Sequence, residues 1–109
     1  MFEYLFGNST INKVLLFLAR FEEGYPREIA QNFDISISMV QLQMDKLERG
    51  GIFVSQLKGR TRIYSWNPRY PFKNALLALL HKGLGALRDN EIKRYYTKRK
   101  RPRRRGKPL

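Results

Sequence analysis

The sequence predicts a mainly α fold with one small β-hairpin, in which a three-helix core is followed by a wing and a C-terminal helix. Three observations predict it. Residues 26–49 hold two short helical patterns joined by a tight turn, and residues 52–66 hold two β-rich runs around a glycine. Residues 72–87 hold a leucine-rich helical stretch.

The elements follow in chain order. Residues 1–24 begin with a short apolar segment, Phe2, Tyr4, Leu5 and Phe6, and continue into a helix from about Thr10 to Phe21. Ser9 or Thr10 can cap it, and Ile11, Val14, Leu15, Leu18 and Phe21 recur on one side. Gly24-Tyr25 ends it, with Tyr25 expected to pair briefly with the hairpin. The next helix opens at Pro26, because proline fits a first helical position whose N–H lacks an intrahelical partner anyway. Ile29, Ala30 and Phe33 give it one buried stripe, and Asp34-Ile35 makes the turn. Ser36 or Ser38 then caps a helix whose inward face is Ile37, Val40, Met44 and Leu47. Gly50-Gly51 ends that helix, since glycine tolerates the left-handed backbone of a C-cap. Ile52–Leu57 and Arg62–Trp66 read as strands, rich in β-branched and aromatic residues, with Lys58-Gly59-Arg60-Thr61 as the link. Tyr64 and Trp66, two apart, face the core. Arg60 and Arg62, also two apart, lie near the tip. Helix, turn, helix and hairpin in this order make a winged helix-turn-helix.

After Pro68 and Pro71 a second helical stretch runs from Phe72 to Leu87, with a continuation to Tyr96 left open. Its apolar surface is too broad for a helix packed on one side. Dimerisation through Leu5, Phe6, Leu76, Leu77, Leu80 and Leu84 is therefore expected. The alternative is a terminal helix lying deep in a groove of its own domain. Gly83 and Gly85 either permit a close approach or break the helix.

Composition bounds the function. The chain has 109 residues, enough for one domain with one modest core, and no cysteine, which removes disulfides, thiolate catalysis and cysteine-based zinc sites. Net charge is +13, and it is unevenly spread. Residues 1–90 hold 12 Lys and Arg against 8 Asp and Glu, whereas residues 91–109 hold 10 against 1. The reading is thus a domain over residues 1–96 and a disordered basic tail over 97–109, where no apolar residue appears before the last. The N-terminus lacks a signal pattern and no stretch is long enough to span a bilayer, so a soluble cytoplasmic protein is expected. Catalysis finds no nucleophile–base pair, glycine-rich phosphate loop or ligand cluster, and His81 reads as structural. No enzyme activity, cofactor, metal or small-molecule ligand is expected.

Duplex DNA is the partner these features suggest. On the second helix of the turn, the outward arc holds Ser38, Leu42, Asp45 and Arg49, and Ser36, Met39, Gln41, Gln43 and Lys46 flank it. Paired glutamines suit adenine, and serines suit phosphates or base edges. Leu42 either touches a thymine methyl or marks a helix that contacts protein. Lys58, Arg60 and Arg62 in the wing suit phosphates or a narrow minor groove. In the tail, Lys98, Arg99, Lys100, Arg101, Arg103, Arg104 and Arg105 carry charge without geometry. They suit nucleic acid, an acidic membrane surface or solubility, and Tyr95 and Tyr96 before them suit base stacking or packing.

A family resemblance adds to this. Leu5-Phe6-Gly7-Asn8, Lys13-Val14-Leu15, Arg27-Glu28-Ile29-Ala30, Ser36-Ile37-Ser38-Met39-Val40, Lys46-Leu47-Glu48, Gly51-Ile52, Gly59-Arg60 and Tyr64-Ser65-Trp66-Asn67 resemble arsenic-repressor-like winged-helix regulators. The likeness covers about residues 5–87. It implies a homodimeric DNA-binding transcription regulator, with contacts from Ser36, Ser38, Gln41, Gln43 and Lys46 and from Arg60 and Arg62 in the wing. The chain departs from the pattern in lacking the cysteine and histidine clusters of metal-sensing members, in having Leu42, and in its basic tail. The function expected is a sequence-selective regulator, most simply a repressor. The alternatives are an architectural DNA-coating protein and a protein-interaction module.

Overall fold

A computed structural model describes residues 1–97 of the protein. Helices α1 (Glu3–Phe6) and α2 (Ser9–Phe21) lead into a short strand β1 (Glu23–Gly24). The helix-turn-helix pair α3 (Pro26–Phe33) and α4 (Ile37–Arg49) follows, then the hairpin β2 (Phe53–Lys58) and β3 (Thr61–Trp66). Helix α5 (Lys73–Gly85), the short α6 (Asp89–Glu91) and a π-helical turn (Ile92–Tyr96) complete it. The three strands form one antiparallel sheet in the order β1-β3-β2, with β3 central.

Helix α2 is the hub. Val14, Leu15, Leu16, Phe17 and Leu18 are all buried, on more than the single face the periodicity suggests, because α1, α3, α4, α5 and β1 surround it. Its cap is Asn8 rather than Ser9 or Thr10: the Asn8 carboxamide oxygen accepts the Ile11 N–H at 2.7 Å. Asparagine there satisfies one of the N–H groups a helix start leaves open. The strand before α3 is Glu23–Gly24, paired with Ser65 and Tyr64, so Tyr25 is the N-cap of α3 instead of a strand residue. Gly24 fits there because a Cβ would stand 2.9 Å from the Phe17 ring.

The turn between α3 and α4 is built as expected. Asp34 adopts a left-handed backbone (φ 55°) and Ile35 N–H reaches back to the Ala30 carbonyl at 3.0 Å, closing the end of α3. Val40, Met44 and Leu47 form the buried stripe of α4. Ile37 is not part of it and is exposed. It occupies the first helical position, and side chains tilt toward the helix start, so it projects past the end that α3 covers. At the other end Gly51 (φ 78°) takes the left-handed position while Ile52 N–H bonds to the Leu47 carbonyl at 3.0 Å.

In the hairpin, Lys58 pairs with Thr61, so both strands reach one residue nearer the tip than read from sequence, β2 starts at Phe53 instead of Ile52, and the turn is Gly59-Arg60 alone. Only the first turn residue has positive φ (63°), the two-residue geometry whose twist matches the strands. Tyr64 is buried and Trp66 packs on the core, its indole N–H donating to the Leu18 carbonyl at 2.9 Å.

The C-terminal helical stretch breaks at Ala86, after two glycines that each cost roughly 1 kcal/mol of helix propensity. Gly83 serves the close approach: the Phe2 ring lies where its Cβ would be, at 2.5 Å. Leu80 is fully buried in the domain's own core and cannot form part of a subunit contact. Phe6, Leu76, Leu77 and Leu84 pack partly against the same core, whereas Leu5 is 65% exposed. Tyr96 is buried, and Tyr95 stacks on Phe33 at 5.1 Å between ring centroids, so both serve packing. Among the described residues no helix is long and apolar enough to cross a membrane.

Candidate nucleic-acid interface

Helix α4 presents two different sides to its surroundings. The side toward the wing is a hydrogen-bonded seam. The Tyr64 hydroxyl donates to Asp45 Oδ1 at 2.7 Å, and the Gln41 amide donates to the same oxygen at 2.9 Å and to the Tyr64 hydroxyl at 3.0 Å. Burial, and after it the bond to Asp45, pushes the Tyr64 phenol up to about 12. One turn on, Ser55 donates to Glu48 Oε2 at 2.6 Å and accepts from the Arg62 guanidinium at 3.0 Å. Ser55 and Tyr64 are cross-strand partners, as are Leu57 and Arg62, so the alternation of the strands brings all four to one face of the hairpin. The wing is therefore held against α4 by side-chain bonds as well as by the core.

This seam engages one of the two glutamines. Gln41, on the flank of the outward arc as the spacing puts it, is half-buried with its amide committed to Asp45 and Tyr64. Gln43 is also half-buried, its carboxamide oxygen shielded from solvent. Asp45 turns to Tyr64 and away from the outer face. At 100° per residue, positions 41 and 43 fall near the edges of the helix, where the neighbouring elements decide whether a side chain bends in or out. Sequence spacing cannot see the tyrosine hydroxyl that draws Gln41 inward.

The outward side is formed by Ser36, Ser38, Met39, Leu42, Lys46 and Arg49, all exposed, with Ile37 at its end. Ser36 caps the helix, its hydroxyl 3.5 Å from the Met39 N–H and 2.8 Å from the Ser38 hydroxyl. Lys58, Arg60 and Arg62 are exposed on the hairpin. Among the described residues, none of the cations Lys46, Arg49, Lys58, Arg60 and Arg62 is paired with a carboxylate. The two acids on α4, Asp45 and Glu48, already accept hydrogen bonds from Tyr64, Gln41 and Ser55. Of the two apolar residues beside Ser38, Met39 is exposed where the spacing puts it, on the flank of the outward arc, whereas Ile37 is exposed although the spacing counts it in the inward stripe.

The other predicted site residues lie elsewhere. His81 Nε2 sits 3.0 Å from the Ala19 carbonyl, a packing contact between α5 and α2. The tail cations Lys98, Arg99, Lys100, Arg101, Arg103, Arg104 and Arg105 lie outside the described residues. The segment leading to them is anchored: Arg20 donates to the Thr97 carbonyl at 3.3 Å and Asn32 to the Tyr95 carbonyl at 3.2 Å.

A helix-turn-helix followed by a two-stranded wing on a helical core is a defined arrangement. The chain has a winged-helix fold. Among solved structures it is similar to Lactococcus lactis ZitR, C30AH42A mutant in apo form, at 17% identity, covering 84% of this chain and 77% of that one, with a TM-score of 0.55. It is also similar to a MarR-family transcriptional regulator from Rhodococcus sp. RHA1, at 18% identity over 84% of this chain and 71% of that one, with a TM-score of 0.50. The YusO protein from Bacillus subtilis matches at 20% identity over 73% of this chain, with a TM-score of 0.49, and the chain spans 65% of its length. At such identities the likeness is one of fold. No protein-family model matches the chain, and no curated protein is significantly similar to it.

Proposed function

We propose that the protein is a duplex-DNA-binding transcription regulator, acting as a homodimer and most simply as a repressor that blocks promoter access. The observation that carries this reading is a set of cations with no carboxylate partner among the described residues, Lys46 and Arg49 on α4 and Lys58, Arg60 and Arg62 on the wing, on two elements fastened together by the Tyr64 and Ser55 seam. An α-helix fits the major groove, and flanking cations neutralise phosphates and fix its register. Ser36 and Ser38 at the start of α4 offer hydroxyls to phosphates or base edges. The winged-helix neighbours, one of them named a transcriptional regulator, favour the same role. In place of the glutamines, base contact falls to the residues that are exposed.

The dimer is supported by the outer side of α5. Phe72, Ala75, Ala78 and Leu79 are exposed there, and Leu5 and Tyr4 of α1 add further uncovered apolar surface. These replace Leu80 in the proposed contact. The tail beyond Thr97 adds phosphate neutralisation without selectivity; covering ~6 phosphates would steepen the salt slope by ~5.

Selection of bound fragments from random duplex DNA, with the full chain and with residues 97–109 removed, tests this. An enriched sequence that survives removal of the tail supports a selective regulator; binding without enrichment supports an architectural protein. The exposure of Met39 and Leu42 favours a second reading, a protein partner docked on α4. Charge reversal at Arg60 and Arg62 separates the two, abolishing DNA binding and leaving a docked protein in place.

A further inference from the structure

Three large apolar side chains stand uncovered on one short stretch of α4: Ile37 is 43% exposed, Met39 53% and Leu42 59%. Each is a residue that folded proteins usually cover, and their cluster occupies the N-terminal half of a 13-residue helix whose C-terminal half carries Lys46 and Arg49. The surroundings identify what would cover them. The cations of α4 and the wing are unpaired among the described residues, and the nearby acids are occupied within the protein. An anionic partner is favoured, and one that nevertheless offers apolar groups at the depth a helix reaches. Duplex DNA provides both. Its phosphates rim the major groove, and the only apolar group on the floor of that groove is the C5-methyl of thymine.

We infer that α4 reads thymine C5-methyl groups through Met39 and Leu42, with Ile37 beside them, so that the preferred target is rich in thymine at the positions facing the first half of the helix. This deepens the DNA-binding reading and rests on it. The N-terminal half of α4 has no arginine, hence no bidentate contact to guanine there; the Gln41 amide is committed to Asp45 and Tyr64, and the Gln43 amide oxygen is shielded from solvent. Beside the hydroxyls of Ser36 and Ser38, which can bond phosphates as well as base edges, methyl contact is what these exposed side chains offer to discriminate bases. Each methyl removed from water by such contact is worth about fourfold in affinity, and two give roughly tenfold or more.

The test uses the full chain and two duplexes of equal length, one of alternating adenine and thymine and one of alternating adenine and uracil, which differ only in the methyl. Tighter binding to the thymine duplex by about fourfold or more, with the ratio of the two affinities falling toward one in Leu42→Ser and Met39→Ser, is the expected result. Both side chains are exposed, and circular dichroism verifies that each variant folds. Equal affinity for the two duplexes, or a thymine preference that persists in both variants, overturns the inference while leaving the DNA-binding proposal standing. Binding to neither duplex, nor to the random pool, overturns the DNA reading itself. Lys58→Ala serves as the internal control and should weaken both duplexes by the same factor.

Discussion

Helices α2 and α5 are both 13 residues long and both carry several leucines, yet nine residues of α2 are buried against two of α5. Helix α2 lies at the centre of the element order in space, with helices and sheet on every side, so nearly any apolar side chain it bears finds a neighbour. Helix α5 lies over α2 with one side, fixed by Leu80 and by the Phe2 ring against Gly83. Its remaining leucines are half-covered or open. Identical residue chemistry thus serves folding in one helix and surface in the other, and position in the fold decides which.

Substitutions can break this contrast. Phe17→Ala in α2 should cost the most, about 3–5 kcal/mol in urea denaturation, because a ring enclosed on all sides leaves a cavity that few neighbours can fill. Leu80→Ala in α5 should cost about 2–5 kcal/mol, since it is the one deep anchor of that helix. A cost for Leu80 no larger than for an exposed leucine would refute the anchoring. Helix α4 lies between the two extremes, and its seam with the wing gives a third measurement. Tyr64→Phe removes a bond to a carboxylate and should cost about 1.5–3 kcal/mol.

That same variant carries a pH signature. The Tyr64 phenol is raised from 10.0 to about 12 in the folded protein, so the folded state holds its proton more tightly. The associated stability is complete below pH 10 and is lost as pH rises through about 12. Thermal unfolding of Tyr64→Phe across that window should decline less steeply than that of the wild type. A smaller effect, about 1 kcal/mol, is expected for Asn8→Ala, which removes the cap of α2 but none of its packing. Smallest of all, Leu79→Asp on the outer side of α5 should change monomer stability by no more than about 0.5 kcal/mol. Its effect should appear in sedimentation, as loss of the proposed dimer; an unchanged dimer would move the contact to another surface.

Much of the fold was legible because local chemistry enforces it. Pro26, Asp34, Ser36, Gly51 and Gly59 stand at element boundaries where their backbone or capping properties act regardless of the rest of the chain. Less of the candidate site was legible. Lys46, Lys58, Arg60 and Arg62 are exposed as expected, because charged side chains seldom tolerate burial without partners. Gln41 and Gln43 are half-buried on the flanks of α4, and spacing alone cannot tell whether a flanking amide bonds water, a base edge or a neighbouring side chain, as Gln41 does with Asp45 and Tyr64. Leu80 was assigned to a subunit contact because periodicity marks an apolar face without naming what covers it.

The sequence by itself determined the order and type of the main helices and of the hairpin, and that the cations gather on the wing and after Thr97, since caps, turns and charge act over a few residues. Only the tertiary structure decided which apolar residues lie inside and which polar ones remain free. That choice depends on long-range neighbours, on Tyr64 meeting Asp45 and Gln41 across 19 and 23 positions of chain, and Trp66 meeting Leu18 across 48. It left Met39 and Leu42 uncovered, because no element of the described chain passes over them.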